Sequence, residues 1–299
     1  MNKEELFSKI RNGLENKLSF LEDKPEETIE SSIKALWFAA FGHPKSAVEA
    51  VKLPLPELTE LQISKLNQLV EQRLNNVPLS YITGRQNFMG IELLSDHRAL
   101  IPRKETEILG KKALELANNI TGAKNNATVM DICCGAGNLA CALGYYNSQL
   151  AISATDLSEE AIDLTGENIS FLHLGKRVKA YQGDVFSAFE NEGFYEKTDL
   201  IVCNPPYIST SKVQKMNMEI AANEPVLAFD GGMLGTKIIQ KLIREAPKFL
   251  FRTGWVIFEV GLGQGSFIMQ LCERTELYDK IESAADEFGN IRVILARKK

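Results

Sequence analysis

Histidine is scarce in this chain, and cysteine is too sparse to build a framework: there are three histidines and five cysteines. The cysteine count is odd and no two form a C-x-x-C pair, which excludes a disulfide scaffold and leaves no zinc-ligand spacing. His43, His97 and His173 are scattered. A reducing, cytoplasmic compartment is the expectation. Positive charge is not in excess either: 34 Lys and Arg face 39 Asp and Glu, for a net charge of -5. The chain therefore lacks the basic footprint of a protein that coats nucleic acid. The strongest apolar runs, 35–41 and 255–258, fall far short of the ~20 residues of a membrane span, and Met1 to Glu5 open a charged stretch without the apolar core of a secretion signal. Internal repeats and low-complexity segments are absent. What remains is globular: 299 residues, 44% hydrophobic and 24% charged, enough for one large domain or two unequal ones.

The texture of the chain changes twice. Residues 1–76 read as a small helical bundle. Leu6, Ile10, Leu14 and Leu18 recur every four positions; residues 28–41 form a more buried helix stopped by Gly42 and Pro44. Leu58, Leu61, Leu66, Leu69, Val70 and Leu74 trace one helical face, with Ile63 off it. Residues 77–118 read as a connector. Residues 86–88 and 91–93 flank Met89-Gly90 as a hairpin, and a helix opens after Pro102 and runs towards Ala117. From Thr121-Gly122 onward, strand-like and helix-like runs alternate. Strands are expected at 128–132, 151–155, 178–182, 200–203 and 255–260, with helices such as 159–172 and 236–250 between them. A final pair, 280–284 and 291–296, has no helix between its members. The alternation implies a mainly parallel α/β sheet, Rossmann-like in its winding, with an antiparallel hairpin at one edge. The domain reading is therefore 1–76, 77–118 and 119–299.

In open α/β sheets, ligands bind beyond the carboxyl ends of the strands, and four strands here deliver a polar residue to that rim. The first ends at Asp131, followed by Cys133-Cys134-Gly135-Ala136-Gly137. The second ends at Asp156, the third at Gly183-Asp184, and the fourth at Asn204-Pro205-Pro206-Tyr207. Gly135 and Gly137 allow a tight turn and a close backbone approach at a helix N-terminus. Asp156, 19 residues beyond Gly137, suits the two hydroxyls of a ribose, and Asp184 suits an exocyclic amine, so the cluster fits an adenosine ligand. The glycine loop alone also satisfies the dinucleotide fingerprint G-x-G-x-x-G/A, which leaves a nicotinamide enzyme and a methyltransferase both open.

Asn204-Pro205-Pro206-Tyr207 is more specific. The Asn204 side-chain oxygen and the Pro205 carbonyl can both accept from a planar NH2, and Tyr207 can stack on its plane. Such acceptors favour a pyramidal nitrogen with developing positive charge, and aligning that nitrogen with an electrophilic methyl supplies the remainder.

With this motif after the fourth strand, the chain resembles the HemK-type glutamine-N5 methyltransferases. Residues 78–84, Phe88-Met89-Gly90, Leu100-Ile101-Pro102-Arg103 with Glu105-Thr106-Glu107, Asn223-Glu224-Pro225, Ala228 and Asp230-Gly231-Gly232 carry the likeness beyond the motif. The resemblance implies a class I methyltransferase fold using S-adenosyl-L-methionine, and a peptide-chain release factor as acceptor, methylated on the glutamine of its Gly-Gly-Gln motif. It also implies that the N-terminal bundle recognises the substrate. Carried over, it places cofactor contacts at Asp131, Cys133, Gly135, Gly137, Asp156, Asp184, Val185 and Asn204, and the acceptor against Asn204, Pro205, Pro206 and Tyr207. No metal is implied, and neither stable nucleic-acid binding nor a membrane.

The chain departs from the family at three places. Cys133 stands where the loop has its first glycine, Val185 where an aromatic is common, and Lys104 where the signature has a proline. Related acceptors stay open: a ribosomal-protein glutamine, a peptide or a small amide or amine. An adenine-N6 methyltransferase would use the same motif with base flipping, but the acidic balance argues against it. Arg103 reads as holding the connector rather than a cofactor carboxylate. Glu224 reads equally as orienting Asn204 or the acceptor and as a salt-bridge partner. The clustered cysteines read as small buried packing groups.

Overall fold

The computed structural model describes residues 2–15, 17–21, 23–191, 193–213 and 218–299. In chain order the helices and strands are α1 (Lys3–Leu14), α2 (Ile29–Phe41), α3 (Ala47–Ala50), α4 (Glu60–Leu74), α5 (Leu79–Thr83), β1 (Arg85–Phe88), β2 (Ile91–Leu94), α6 (Glu107–Lys124), β3 (Ala127–Ile132), α7 (Asn138–Tyr146), β4 (Leu150–Asp156), α8 (Glu159–Phe171), β5 (Val178–Gln182), β6 (Thr198–Cys203), α9 (Thr210–Val213), α10 (Met218–Asn223), α11 (Lys237–Phe249), β7 (Leu250–Glu259), α12 (Gly265–Arg274), β8 (Tyr278–Ala285) and β9 (Ile291–Lys298). They fall into two compact units. One holds residues 1–97, 101–104 and 217–224, and the other holds 98–100, 105–216 and 225–299. The hairpin of the expected connector thus belongs to the first unit and the helix that follows it to the second.

The first unit is helical. Thr28 caps α2 by accepting from Ser31 N, and Gly42 ends it at φ 96°, a left-handed C-cap that glycine adopts at least cost. Trp37, Leu36, Ile33, Leu66 and Leu14 fill its core. Two details correct the sequence reading of this core. Leu61 is 81% exposed, whereas Ile63, three residues before buried Leu66 and so on its face, packs against the cluster. Leu18 also reaches the core, but from a turn, because α1 ends at Leu14. Met89 and Gly90 join β1 and β2 with φ of 50° and 84°, positive at both central positions of the two-residue turn.

Arg103 is buried in this unit, 2.6 Å from Glu224 and 3.1 Å from Asp23, and Glu224 also accepts from Ile101 N at 3.0 Å. The described partners of Arg103 are carboxylates of the protein itself, as expected of a residue that holds the connector. Glu224 is its salt-bridge partner, one of the two readings held open for that residue.

The second unit is built on a seven-stranded sheet of order β5-β4-β3-β6-β7-β9-β8. Its first five strands run parallel, and β9, lying between β7 and β8, runs antiparallel to both, so that β8 points the same way as the first five. The mainly parallel sheet and its antiparallel edge agree with the sequence expectation. Two boundaries differ. The helix expected to stop near Ala117 continues as α6 through Thr121 and Gly122 to Lys124, because Thr121 Oγ1 bonds back to Ala117 O and Asn125 supplies the left-handed end. Strand β7 starts at Leu250 rather than 255. A register shift opposite Thr198 and Leu200 accommodates the extra residues, and a Cβ on Gly254 would press on three backbone oxygens there.

Candidate active site

The strand order reverses on either side of β3, which has β4 on one flank and β6 on the other. This switch point is where an open parallel sheet presents a crevice at its carboxyl rim. The end of β3, the β3–α7 loop and the end of β4 come together there. Asp131 is fully buried; one carboxylate oxygen accepts from Ala140 N at 2.9 Å, and the other, Oδ1, has no partner among the described residues. Burial, with Asp156 adding to it, pushes the Asp131 carboxyl up to about 8. Asp156 accepts from Gly135 N at 2.9 Å through one oxygen and from Ser158 N at 3.0 Å through the other. Burial raises its pKa against the lowering effect of those backbone donors.

The loop itself bends through left-handed conformations. Gly135 and Gly137 have φ of 55° and 75°. A Cβ at Gly135 would meet open space, whereas at Gly137 it would stand 2.7 Å from Thr165 Cγ2. Cys133 has φ 59°, a conformation disfavoured for a side-chain-bearing residue. Cys133 therefore fills a left-handed slot that glycine would adopt at less cost. Cys134, Cys141 and Cys203 are buried, and burial raises each thiol pKa, so these three pack as small apolar groups.

Asp184 and Val185 lie one strand further on. The Asp184 carboxylate is more than half exposed and pairs with Lys241 at 2.8 Å, while Val185 is buried in the core with Phe186 and Phe189 at a left-handed φ of 58°.

The double-proline turn follows β6 directly. Asn204 Nδ2 donates to Thr106 Oγ1 at 3.2 Å, and Asn204 Oδ1 is buried without a partner among the described residues. The amide is thus oriented with its acceptor free. The Tyr207 hydroxyl lies 2.9 Å from Glu259 Oε1 and 3.1 Å from Glu105 Oε1. Arg292 approaches the same pair, 2.9 Å from Glu105 Oε2 and 3.6 Å from Glu259 Oε1. Burial beside these carboxylates raises the Tyr207 phenol well above its ordinary value. Gln264 latches the turn from behind, donating to Tyr207 O at 3.1 Å while its own oxygen accepts from Gly261 N at 2.9 Å. A Cβ on Gly231 or Gly235 would strike the carbonyls of Pro206 and Tyr207, so these glycines let a second loop close on the turn.

Sequence reasoning did not pick out Glu259, Gln264 or Arg292, and it met Glu105 and Thr106 only as part of a signature. A signal existed for Glu259: it ends β7, the fifth strand to reach this rim, and the rule applied to the other four strands covers it as well.

Comparison with known proteins identifies the fold that carries this rim. The methyltransferase small domain model matches residues 113–281. Release factor glutamine methyltransferase of Thermodesulfovibrio yellowstonii is 33% identical over 243 residues, covering 81% of this chain and 84% of its own. The enzyme of that name from Geobacter sulfurreducens is 31% identical over 288 residues, 96% of each chain. Among solved structures, the hMettl16 catalytic domain in complex with a 3′UTR hairpin superposes with a TM-score of 0.52 at 15% identity, covering 79% of this chain and 80% of that one. A methyltransferase from Pyrococcus furiosus superposes with a TM-score of 0.50 at 16% identity, covering 71% and 90%. These two show a shared class I fold. The fold, the rim and the extent of the sequence match together place this chain in the release factor glutamine methyltransferase family.

Proposed function

We propose that this protein transfers the methyl group of S-adenosyl-L-methionine to the side-chain amide nitrogen of a glutamine in a peptide-chain release factor. One observation carries the reading: Asn204 presents a buried acceptor oxygen with no partner among the described residues, held in that orientation by Thr106. A buried amide oxygen left unpaired is costly, and an incoming NH2 satisfies it. The names of the relatives supply the acceptor, and the resemblance assigns its recognition to the helical bundle, residues 1–76.

The residues fit the cofactor. The orphaned Asp131 Oδ1 calls for a donor such as an ammonium group. The space beside Gly135 admits a ligand against bare backbone. Asp156, with each oxygen already holding one backbone N–H, keeps lone pairs for ribose hydroxyls. We assign Cys133, Gly137, Asp184 and Val185 to the same binding region, with the ion pair to Lys241 tempering the role of Asp184. When bound, the cofactor supplies an electrophilic methyl on a positively charged sulfur.

Asn204 and the Pro205 carbonyl accept from the amide NH2, which turns its lone pair towards the donor as the planar conjugation is lost. Tyr207 limits the amide plane, and Pro205 and Pro206 hold the turn rigid. The chain needs no strong base, because the nitrogen becomes acidic once methylated. None of its described helices is long and apolar enough to cross a membrane, and all five cysteines are free thiols; we assign it to the cytoplasm, without stable nucleic-acid binding.

The test offers labelled S-adenosyl-L-methionine with release factor, its Gln→Ala version, ribosomal protein and DNA as acceptors. Label on the release factor that disappears with the Gln→Ala change is the expected result. Equal label on both versions, or label only on DNA, refutes the assignment.

A further inference from the structure

The Tyr207 hydroxyl sits between two carboxyl groups, those of Glu259 and Glu105. A phenol has one proton to give and an ionised carboxylate has none. With both carboxylates charged, one of the two short contacts sets lone pairs against each other. With one carboxyl protonated, both contacts become hydrogen bonds. Arg292 decides which carboxyl stays ionised, since it is 2.9 Å from Glu105 and 3.6 Å from Glu259. Exposure agrees: the Glu105 side chain is 32% exposed and that of Glu259 only 2%. Glu259 Oε2 also has no partner among the described residues, and an unpaired buried oxygen costs far less on a neutral acid than on an anion. Thr106, which holds Asn204 Nδ2, faces the same carboxyl. Glu259 therefore meets both ends of the catalytic turn, Tyr207 directly and Asn204 through Thr106.

We propose that Glu259 is a positioning residue for methyl transfer, a neutral carboxylic acid that donates its proton to Tyr207 Oη while Tyr207 donates to the Glu105 carboxylate paired with Arg292. The inference rests on the methyl-transfer reading of the double-proline turn. Burial first, and the charge of Glu105 next, push the Glu259 carboxyl up to about 7, against the opposing pull of Thr106, Arg292 and Tyr207. Those four residues are the titratable, charged or hydrogen-bonding groups shown facing it. A carboxyl with a raised pKa holds its proton below that value and releases it above. Ionisation sets Glu259 against Glu105 across the Tyr207 hydroxyl, and the turn loosens.

Single-turnover transfer to release factor across neutral and alkaline pH, beside calorimetric cofactor affinity, tests this for wild type, Glu259→Gln and Glu259→Ala. Wild-type turnover is expected to fall as pH rises through the Glu259 pKa. The Gln side chain carries a neutral donor in the same place, so this variant should keep acid-side turnover and lose the alkaline decline. Glu259→Ala should lose about 10–100-fold in turnover at every pH, the scale of a mispositioned reacting group, with cofactor affinity unchanged. A Gln variant that declines like wild type, or an Ala variant with wild-type turnover, overturns the proposal. Should Glu259→Ala fail to fold, the Gln pH profile decides alone.

Infrared difference spectroscopy gives a readout independent of the acceptor. Asp131 is also protonated at neutral pH, so the carboxylic-acid carbonyl band should lose only its Glu259 component in the wild-type minus Glu259→Gln difference spectrum. A difference spectrum with no carboxylic-acid component lost refutes the neutral acid. Loss of that component together with no transfer to release factor refutes only the acceptor assignment.

Discussion

On the β3–β4 side of the rim, polar side chains are held by nearby backbone N–H groups: Asp131 holds Ala140 N, and Asp156 holds Gly135 N and Ser158 N. On the β6–β7 side they are held by side chains from distant parts of the sequence. Asn204 leans on Thr106, and Tyr207 on Glu105 and Glu259, across 52 to 102 positions of chain. The first half is a preformed cradle whose geometry comes from backbone turns. The second is a suspended turn whose geometry comes from a proton-sharing side-chain network. Cofactor affinity should therefore answer to changes in the first half, and turnover to changes in the second.

Asn204→Ala gives the largest expected separation of the two. Methyl transfer should fall by about 10²–10³, the cost of losing one group that stabilises the transition state, while calorimetry reports cofactor affinity close to wild type. Comparable losses in both quantities would place Asn204 in the cradle rather than in the turn.

Gly137→Ala strikes the opposite side. Left-handed φ costs a side-chain-bearing residue about 1–2 kcal/mol, and the new Cβ meets Thr165, which is fully buried and tied to Gly135 O at 2.8 Å. Overpacking of such a site adds roughly 1–3 kcal/mol. Urea unfolding should show a stability loss on the order of 3 kcal/mol, accompanied by weaker cofactor binding; unchanged stability would mean that the loop relaxes freely. Asp156→Ala should weaken cofactor binding about 10–100-fold, in keeping with the ~1.5–3 kcal/mol of hydrogen bonds to a charged group, and leave saturated turnover near wild type. An unchanged affinity would remove the ribose assignment.

How far the sequence discloses each half follows from the same contrast. The strand ends at Asp131, Asp156 and Asn204, and the positive-φ glycines, are local features, so pattern alone locates them. The support of the turn is not local. Glu105 and Thr106 precede α6, Glu259 ends β7 and Arg292 lies in β9, and only the sheet order brings them together. A rule about strand ends reaches Glu259, but no periodicity points to Arg292 or Gln264. The orientation of Ile63 over Leu61 was missed for a different reason. The apolar face of α4 was phased from Leu58, which lies before the helix begins at Glu60.

Cys133→Gly is the smallest of these effects and tests whether the cradle is strained in this chain. Cys133 holds φ 59°, so glycine removes a left-handed penalty of about 1–2 kcal/mol. Against that, glycine gives the unfolded chain more freedom, which costs about 0.5–1 kcal/mol, and the thiol loses its contact with Cys203, the residue that precedes Asn204. The balance is a stabilisation of no more than about 1 kcal/mol, read as a rise of roughly 2 °C in melting temperature for a chain of this size. Cofactor affinity should stay level or tighten, because the loop no longer works against its own backbone. A fall in melting temperature would mean that the Cys133–Cys203 contact outweighs the strain. The cysteine would then act as a brace between the cradle and the turn, joining the two halves that every other substitution is expected to separate.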